Sequence, residues 1–375
     1  MIKIIALLST LFINFYASII LLGTANKNFK NRYYLSLFFF NSFVLFFGHF
    51  LTFTRNWEIF KFFDFLFLVS MLAFYPLYYL YLYSAFNFTF FKYKWIYHFT
   101  PAIVTGVLML IFTSISSWEE YHTYMNSSLY ETKLTTTNTK ILTSLYKGSR
   151  AFFIIQILLY NFLAIRFILK AKKDMSNLFS NLDKYQTRYF YITNISFISL
   201  MSLPSIYVAY VGRIPFSSND HLILLFCTLF TTLYVILATI GINQIPAKVN
   251  ISEKILDDSN LHDKELEIIK QKLINYFQNE KPWLIPQLNI WDVAKNIGTN
   301  RSYISKTINE KIGCNFNQFV NSYRINEAKL IINKSPNLSI SEISEQVGFG
   351  SVNSFIRIFK SFENATPTEY KKSKT

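Results

Sequence analysis

The chain has 375 residues, of which 51% are hydrophobic and only 16% charged, with a formal net charge of +15. A water-solvated domain carries about a quarter charged residues, so this composition excludes a wholly soluble protein. The charge is also uneven: residues 1–243 hold 19 Lys and Arg against 8 Asp and Glu, whereas residues 244–375 hold 18 against 14. The excess in the apolar part must collect in loops, where it sets orientation or meets anionic lipid. Of the two cysteines, Cys227 lies in an apolar run and Cys314 in a polar region. They suggest neither a disulfide nor a zinc-ligand pair.

Crossing a bilayer takes about 20 apolar residues. Seven runs meet that length, at roughly 2–24, 33–53, 61–85, 95–115, 149–169, 189–211 and 220–243. The first has a single Lys in its leading region and no small-x-small cleavage site, so it reads as a span rather than a signal peptide. Residues 1–243 are therefore expected to form a seven-helix transmembrane bundle.

Orientation follows from the basic residues. With the N-terminus outside, the inner connectors carry Lys27, Lys30, Arg32, Lys92, Lys94, Lys170, Lys172, Lys173, Lys184 and Arg188. The outer ones carry Arg55, Lys133, Lys140, Lys147 and Arg213. Positive charge favours the cytoplasmic side, which predicts an inner-membrane protein with its C-terminal part in the cytoplasm. Pro76, Pro101 and Pro204 are expected to kink their spans. Polar residues within spans are candidates for sensing. His49 is the deepest. Asp64 lies beside Glu58 and Lys61 and reads as solvated, His98 reads as interfacial, and Arg166 as snorkelling. Their spacing calls for neither metal nor acid–base chemistry, so no catalytic residue, metal or cofactor is expected.

After Gly241 the composition turns polar. Residues 244–262 read as a cytoplasmic linker that begins where Pro246 ends the last span. Residues 263–279 have Leu266, Ile269, Leu273, Tyr276 and Phe277 on one helical face. That face suits either packing on the following domain or a homodimer seam.

Residues 263–375 are expected to form one helical domain. Two segments within it share a design. Leu288–Gly298 is followed by Arg301–Asn309, and Leu338–Gly348 by Val352–Lys360. Each is a short helix, a glycine and a second helix. Gly298 and Gly348 can take the positive φ that ends the first helix. Val293, Ala294 and Ile297 give one buried face, Ile304 and Ile308 the opposing one. Two helices that meet steeply leave the second projecting, which describes a helix-turn-helix.

The order of the two units, the joining helix Phe319–Asn333 with Tyr323-Arg324-Ile325-Asn326-Glu327-Ala328, the Val347-Gly348-Phe349 turn, and the ending Phe359-Lys360 with Thr366-Pro367 and Tyr370 resemble the AraC/XylS family of transcription regulators. The resemblance covers about residues 271–374. Asn364 stands where that family has a glycine, and Asn also tolerates a left-handed turn. Pro367 keeps its place. The resemblance implies that the two projecting helices read adjacent major-groove segments of double-stranded DNA. The matching positions are Arg301, Ser302, Tyr303, Ser305 and Lys306 in the first, and Ser351, Asn353, Ser354 and Arg357 in the second. Arg and Lys can donate to guanine and Asn can pair with adenine. Lys311, Lys360, Lys371, Lys372 and Lys374 suit phosphate contacts that position the protein.

The resulting expectation is an all-α, membrane-bound one-component transcription regulator. Its partners would be DNA, membrane lipid, RNA polymerase and a signal ligand whose identity the sequence leaves open. Three alternatives stay open: a domain released from its anchor by proteolysis, an inert anchor, and a membrane enzyme or transporter with an attached regulator.

Overall fold

A computed structural model of the chain describes residues 2–26, 29–85, 93–130, 134, 136–182, 187–211, 220–243 and 263–374. Nearly all of them are helical. The described residues include no β-strand, only an isolated bridge between Phe179 and Asn289. The chain is all-α, as expected. It divides into two units, Met1–Ile168 with Phe190–Val249, and Leu169–Tyr189 with Asn250–Thr375. The expected linker 244–262 lies outside the described residues.

The first unit is built on α1 (Ile2–Thr24), α2 (Lys30–Phe53), α3 (Trp57–Ala85), α4 (Thr100–Ile115), α5 (Trp118–Tyr130), α6 (Thr137–Leu178), α7 (Thr187–Val211) and α8 (Asp220–Asn243). Six of these, α1, α2, α3, α6, α7 and α8, are long and apolar enough to cross a membrane. The fourth expected run differs. It divides into a 3-10 turn, Tyr93–His98, and the 16-residue α4. Sixteen residues reach about 24 Å, against about 30 Å of hydrocarbon. Pro101 does not kink a span. It occupies the first turn of α4, where its missing N–H goes unneeded. Pro76 and Pro204 do lie inside α3 and α7.

Aromatic rings fill the bundle. Phe38 packs 4.9 Å from Phe74, 5.4 Å from Tyr78 and 6.0 Å from Phe197, centroid to centroid. Such tilted and edge contacts add to plain burial. Polar cross-links join the helices. Thr10 and Thr231 hydroxyls lie 2.8 Å apart, and Tyr78 donates to Asn194 Oδ1 at 2.7 Å. These pairs link α1 to α8 and α3 to α7. Large apolar side chains also lie on the outer surface, with Phe62 and Leu203 73% and 72% exposed.

The second unit contains α9 (Asp263–Glu280), a 3-10 turn Pro282–Leu284, α10 (Ile290–Ile297), α11 (Arg301–Thr307) running on into a π turn at Ile308–Ile312, α12 (Phe316–Lys334), α13 (Ile340–Gln346), α14 (Val352–Glu363) and α15 (Pro367–Lys372). Its short helices start on side-chain caps. Asn289 accepts from the N–H groups of Trp291 and Asp292, Asn300 from Tyr303, and Ser351 from Ser354. Asn315 with Gln318, Ser339 with Glu342 and Thr366 with Glu369 form reciprocal capping boxes. A cap is worth about 1 kcal/mol, which matters for helices of only two turns.

The amphipathic face of α9 is used within the domain. Leu266, Ile269, Leu273 and Phe277 are buried, and the Phe277 ring lies 4.7 Å from Phe319 and 5.1 Å from Tyr323. Tyr276, expected on that face, is half-exposed. The packing alternative therefore takes the surface that a dimer seam over 263–279 would need. Ile325, Ala328, Ile332, Ile343, Val347, Phe355 and Phe359 form the core beneath the second helix pair.

Gly298 and Gly348 have φ of +69° and +77°, and Asn364 +56°. The turn-forming roles of all three hold. The two glycines differ in their surroundings. A Cβ on Gly298 meets open space, whereas one on Gly348 would lie 2.5 Å from Leu284 O. Gly298→Ala is expected to cost about 1 kcal/mol for its left-handed backbone. Gly348→Ala should cost at least about 1 kcal/mol more, because backbone has to move as well. Thermal unfolding of the two variants checks the order, and equal melting temperatures would contradict it.

Candidate functional site

The two helix pairs put their second helices, α11 and α14, at the surface. In the first pair Ala294 is buried where α10 meets α11, and in the second Ser344 takes the corresponding place, also buried. A small side chain at each crossing lets the helices approach closely.

On α11, Arg301, Ser302, Tyr303, Ser305 and Lys306 are half-exposed, while Ile304 and Thr307 face inward. The Arg301 guanidinium lies 5.7 Å from the Trp291 ring centroid. Ser305 Oγ accepts from Asn309 at 3.3 Å. On α14, Asn353 and Arg357 are exposed. Ser351 is the helix cap, its hydroxyl accepting the Ser354 N–H at 3.2 Å. Ser354 is buried and its Oγ accepts from Arg357 Nη2 at 3.4 Å. Ser354 therefore supports Arg357 more than it offers a hydroxyl of its own.

The lysines expected at phosphates have different surroundings. Lys360 and Lys372 are exposed. Lys371 donates to Leu338 O at 2.7 Å, which ties the last helix back to the start of the second pair. Lys374 lies 5.6 Å from the Tyr370 ring centroid. Lys311 pairs with Asp263 at 2.7 Å. That hydrogen bond holds the Asp263 carboxyl below the usual carboxylate range and pushes the Lys311 ammonium up. A depressed carboxylate pKa means the pair persists at neutral pH and is lost only as acid protonates Asp263.

Two features of this unit escape the sequence reading. The first is Arg324 on α12, whose side chain is 1% exposed. It donates to Trp283 O at 2.7 Å and to Ile285 O at 2.8 Å, and lies 5.5 Å from the Phe349 ring centroid. The second is the stretch after Leu169, read from sequence as a basic connector. Ser180 donates through N and Oγ to Leu288 O, at 3.1 and 2.7 Å. Asn317 Nδ2 donates to Ser180 O at 2.6 Å. No local sequence signal marks either feature, since their partners lie far along the chain.

The polar residues of the bundle are not solvated as a group. Asp64 is fully buried and accepts from the hydroxyls of Tyr121 and Tyr124, both at 3.2 Å. This corrects the solvated reading. Its neighbour Lys61 donates to Ser116 O at 2.7 Å. His98 Nδ1 lies 2.6 Å from the Tyr160 hydroxyl. His49 is half-buried between Phe67 and Phe53, at 5.1 and 5.6 Å. It lines a largely apolar cavity with Tyr146, Arg150, Phe153 and Ser205. Arg150 donates to Ala209 O and Tyr210 O at 2.7 and 2.9 Å. Arg166 is exposed. The described residues include no cluster of three or more His, Cys, Asp or Glu placed to hold a metal.

Residues 293–373 match a family described as helix-turn-helix domain. An uncharacterized HTH-type transcriptional regulator of Staphylococcus aureus strain COL is 28% identical over 130 residues, 35% of this chain and 16% of that protein. The uncharacterized HTH-type transcriptional regulator YtdP of Bacillus subtilis strain 168 is 26% identical over 112 residues, 30% of this chain and 14% of that protein. The chain thus aligns with less than a fifth of either relative. The crystal structure of the C-terminal domain of the two-component response regulator YesN from Fusobacterium nucleatum is 28% identical, covering 28% of this chain and 98% of that one, with a TM-score of 0.26.

If Lys311 is to meet a phosphate, Asp263 has to release it. Lys311→Ala is expected to flatten the dependence of log affinity for duplex DNA on log salt by about 0.9, the value of one phosphate contact. Binding titrations at several salt concentrations measure the slope. An unchanged slope would remove Lys311 from the contact surface.

Proposed function

We propose, from the premise that the C-terminal domain is an AraC-type helix-turn-helix domain, that the chain is a membrane-bound one-component transcription regulator. Residues 263–375 read specific double-stranded DNA through α11 and α14. Residues 1–243 anchor the protein in the cytoplasmic membrane and sense a signal there. The observation that carries this reading is one chain with six membrane-length apolar helices and, after them, two helix pairs with Arg301, Lys306, Asn353 and Arg357 on their second helices.

The chemistry suits base readout. Arg357 and Arg301 offer bidentate donors for guanine, and Asn353 offers a donor and an acceptor for adenine. Lys360 and Lys372 add sequence-independent attraction. The placement of basic residues supports an outside N-terminus and a cytoplasmic C-terminal domain, the side on which DNA and RNA polymerase are found. Sensing by the bundle is supported by the apolar cavity beside His49 and Arg150, a setting for a small amphipathic signal molecule. No catalytic role enters this reading.

The deciding experiment is genome-wide DNA occupancy of the full-length protein against a Lys306→Ala, Arg357→Ala double variant. Discrete sites are expected for the parent and about 100-fold weaker binding in the variant, at about 1–3 kcal/mol per base-reading side chain. Equal occupancy by both would overturn the assignment of α11 and α14. Sites bound by a soluble fragment instead of the membrane form would point to release by proteolysis.

A further inference from the structure

The second unit includes a piece of chain that, by sequence, belongs between two spans. α6 is 42 residues long, about 63 Å at 1.5 Å per residue and twice the hydrocarbon thickness. From Leu169 onward it groups with the helix-turn-helix domain. It ends at Leu178, and Phe179, Ser180 and Asn181 then lie against that domain.

The contact there is built rather than incidental. Phe179 forms an antiparallel bridge with Asn289, and its ring lies 5.8 Å from Trp291. Ser180 is 3% exposed, yet its N–H, its hydroxyl and its carbonyl all have partners. Arg324 Nη2 also approaches Ser180 Oγ, at 3.4 Å. One residue further on, the Asn181 side chain fills the space a side chain at Gly350 would need. Asp174, one helical turn back from Leu178, lies within electrostatic reach of Arg301. Residues 174–181 therefore touch the start of α10, the shaft α12 and the residue just before the α14 cap, with a carboxylate near the first residue of α11.

In a helix-turn-helix, the first helix crosses the DNA backbone and the N-terminal residues of the second reach the bases. These are the parts that residues 174–181 approach in both helix pairs. We propose that this segment is a docking arm which holds the DNA-binding domain closed to DNA, and that the bundle regulates transcription by releasing it. Phe179 covers the beginning of α10, and Asn181 stands where the backbone of a duplex would approach α14. The arm is the continuation of α6, which begins in the first unit. The inference rests on the DNA-binding reading above.

The arm can be locked. Asn181 Cγ lies 3.4 Å from the Cβ position of Gly350, within disulfide reach, and the Gly350 backbone is outside the left-handed region. The test uses the full chain in lipid nanodiscs, with Cys227→Ala and Cys314→Ala, carrying Asn181→Cys and Gly350→Cys. Affinity for mixed-sequence duplex DNA at low salt is measured oxidised and after reduction. The disulfide is expected to form and to weaken binding at least about tenfold, the range of an allosteric coupling, with reduction restoring it. Phe179→Ala is expected to strengthen binding severalfold. Failure of the disulfide to form in the folded protein would overturn the docking. A locked chain that binds as well as the reduced one, or better through Lys170, Lys172 and Lys173, would overturn the closure. If neither the reduced nor the parent chain binds duplex, the DNA-binding reading falls, and the arm's role with it.

Discussion

The second unit depends on a buried cation. Moving a guanidinium out of water costs several kcal/mol unless its donors are matched. Arg324 matches them with the carbonyls of Trp283 and Ile285 and with Ser180, and rests over Phe349. Burial pulls its pKa down to about 10, which still leaves it charged at neutral pH. Its position gives this interaction its reach. Arg324 sits on α12, the shaft between the two helix pairs, and binds the turn that enters the first pair while facing the turn of the second. A lysine would carry the charge but not the planar fork that serves several acceptors at once. Arg324 thus joins the turn before α10, the turn before α14 and Ser180 through one side chain.

Local rules were readable in the sequence because they need no distant partner. The positive φ at Gly298, Gly348 and Asn364, and the apolar faces of α10, α11 and α14, come from a residue and its near neighbours. Non-local matters were not. Asp64 looked solvated beside Glu58 and Lys61. Its partners Tyr121 and Tyr124 arrive from a helix about 60 residues later. The face of α9 was legible, but Phe319 and Tyr323, not a second chain, take it up. Pro101 was misread because its effect depends on where the helix begins, and the sequence does not mark that point sharply. The candidate DNA surface divides in the same way. The candidate residues of α11 and α14 came from the resemblance to the AraC/XylS family, carried over position by position. The pairing of Lys311 with Asp263, and of Ser180 with Leu288, could not.

The two units use polar groups for opposite ends. In the bundle, hydroxyls and amides such as Tyr78 and Asn194, or Thr10 and Thr231, face each other across helices beneath an apolar exterior. In the second unit, caps take up polar groups at helix starts, while Asn353, Arg357 and Lys360 on α14 are exposed.

The order of the arm in the chain also has a bearing on synthesis. Asn181 is made 169 residues before Gly350. At about 5–20 residues per second, roughly 8–34 s pass before the surface that receives it exists. Ser180 and its partner on Leu288 are 108 positions apart, so their pairing closes a long loop and comes late. The short helix pairs, made of local contacts, can form as soon as they leave the ribosome. A newly made molecule therefore passes once through a state with its helix pairs formed and its arm unseated.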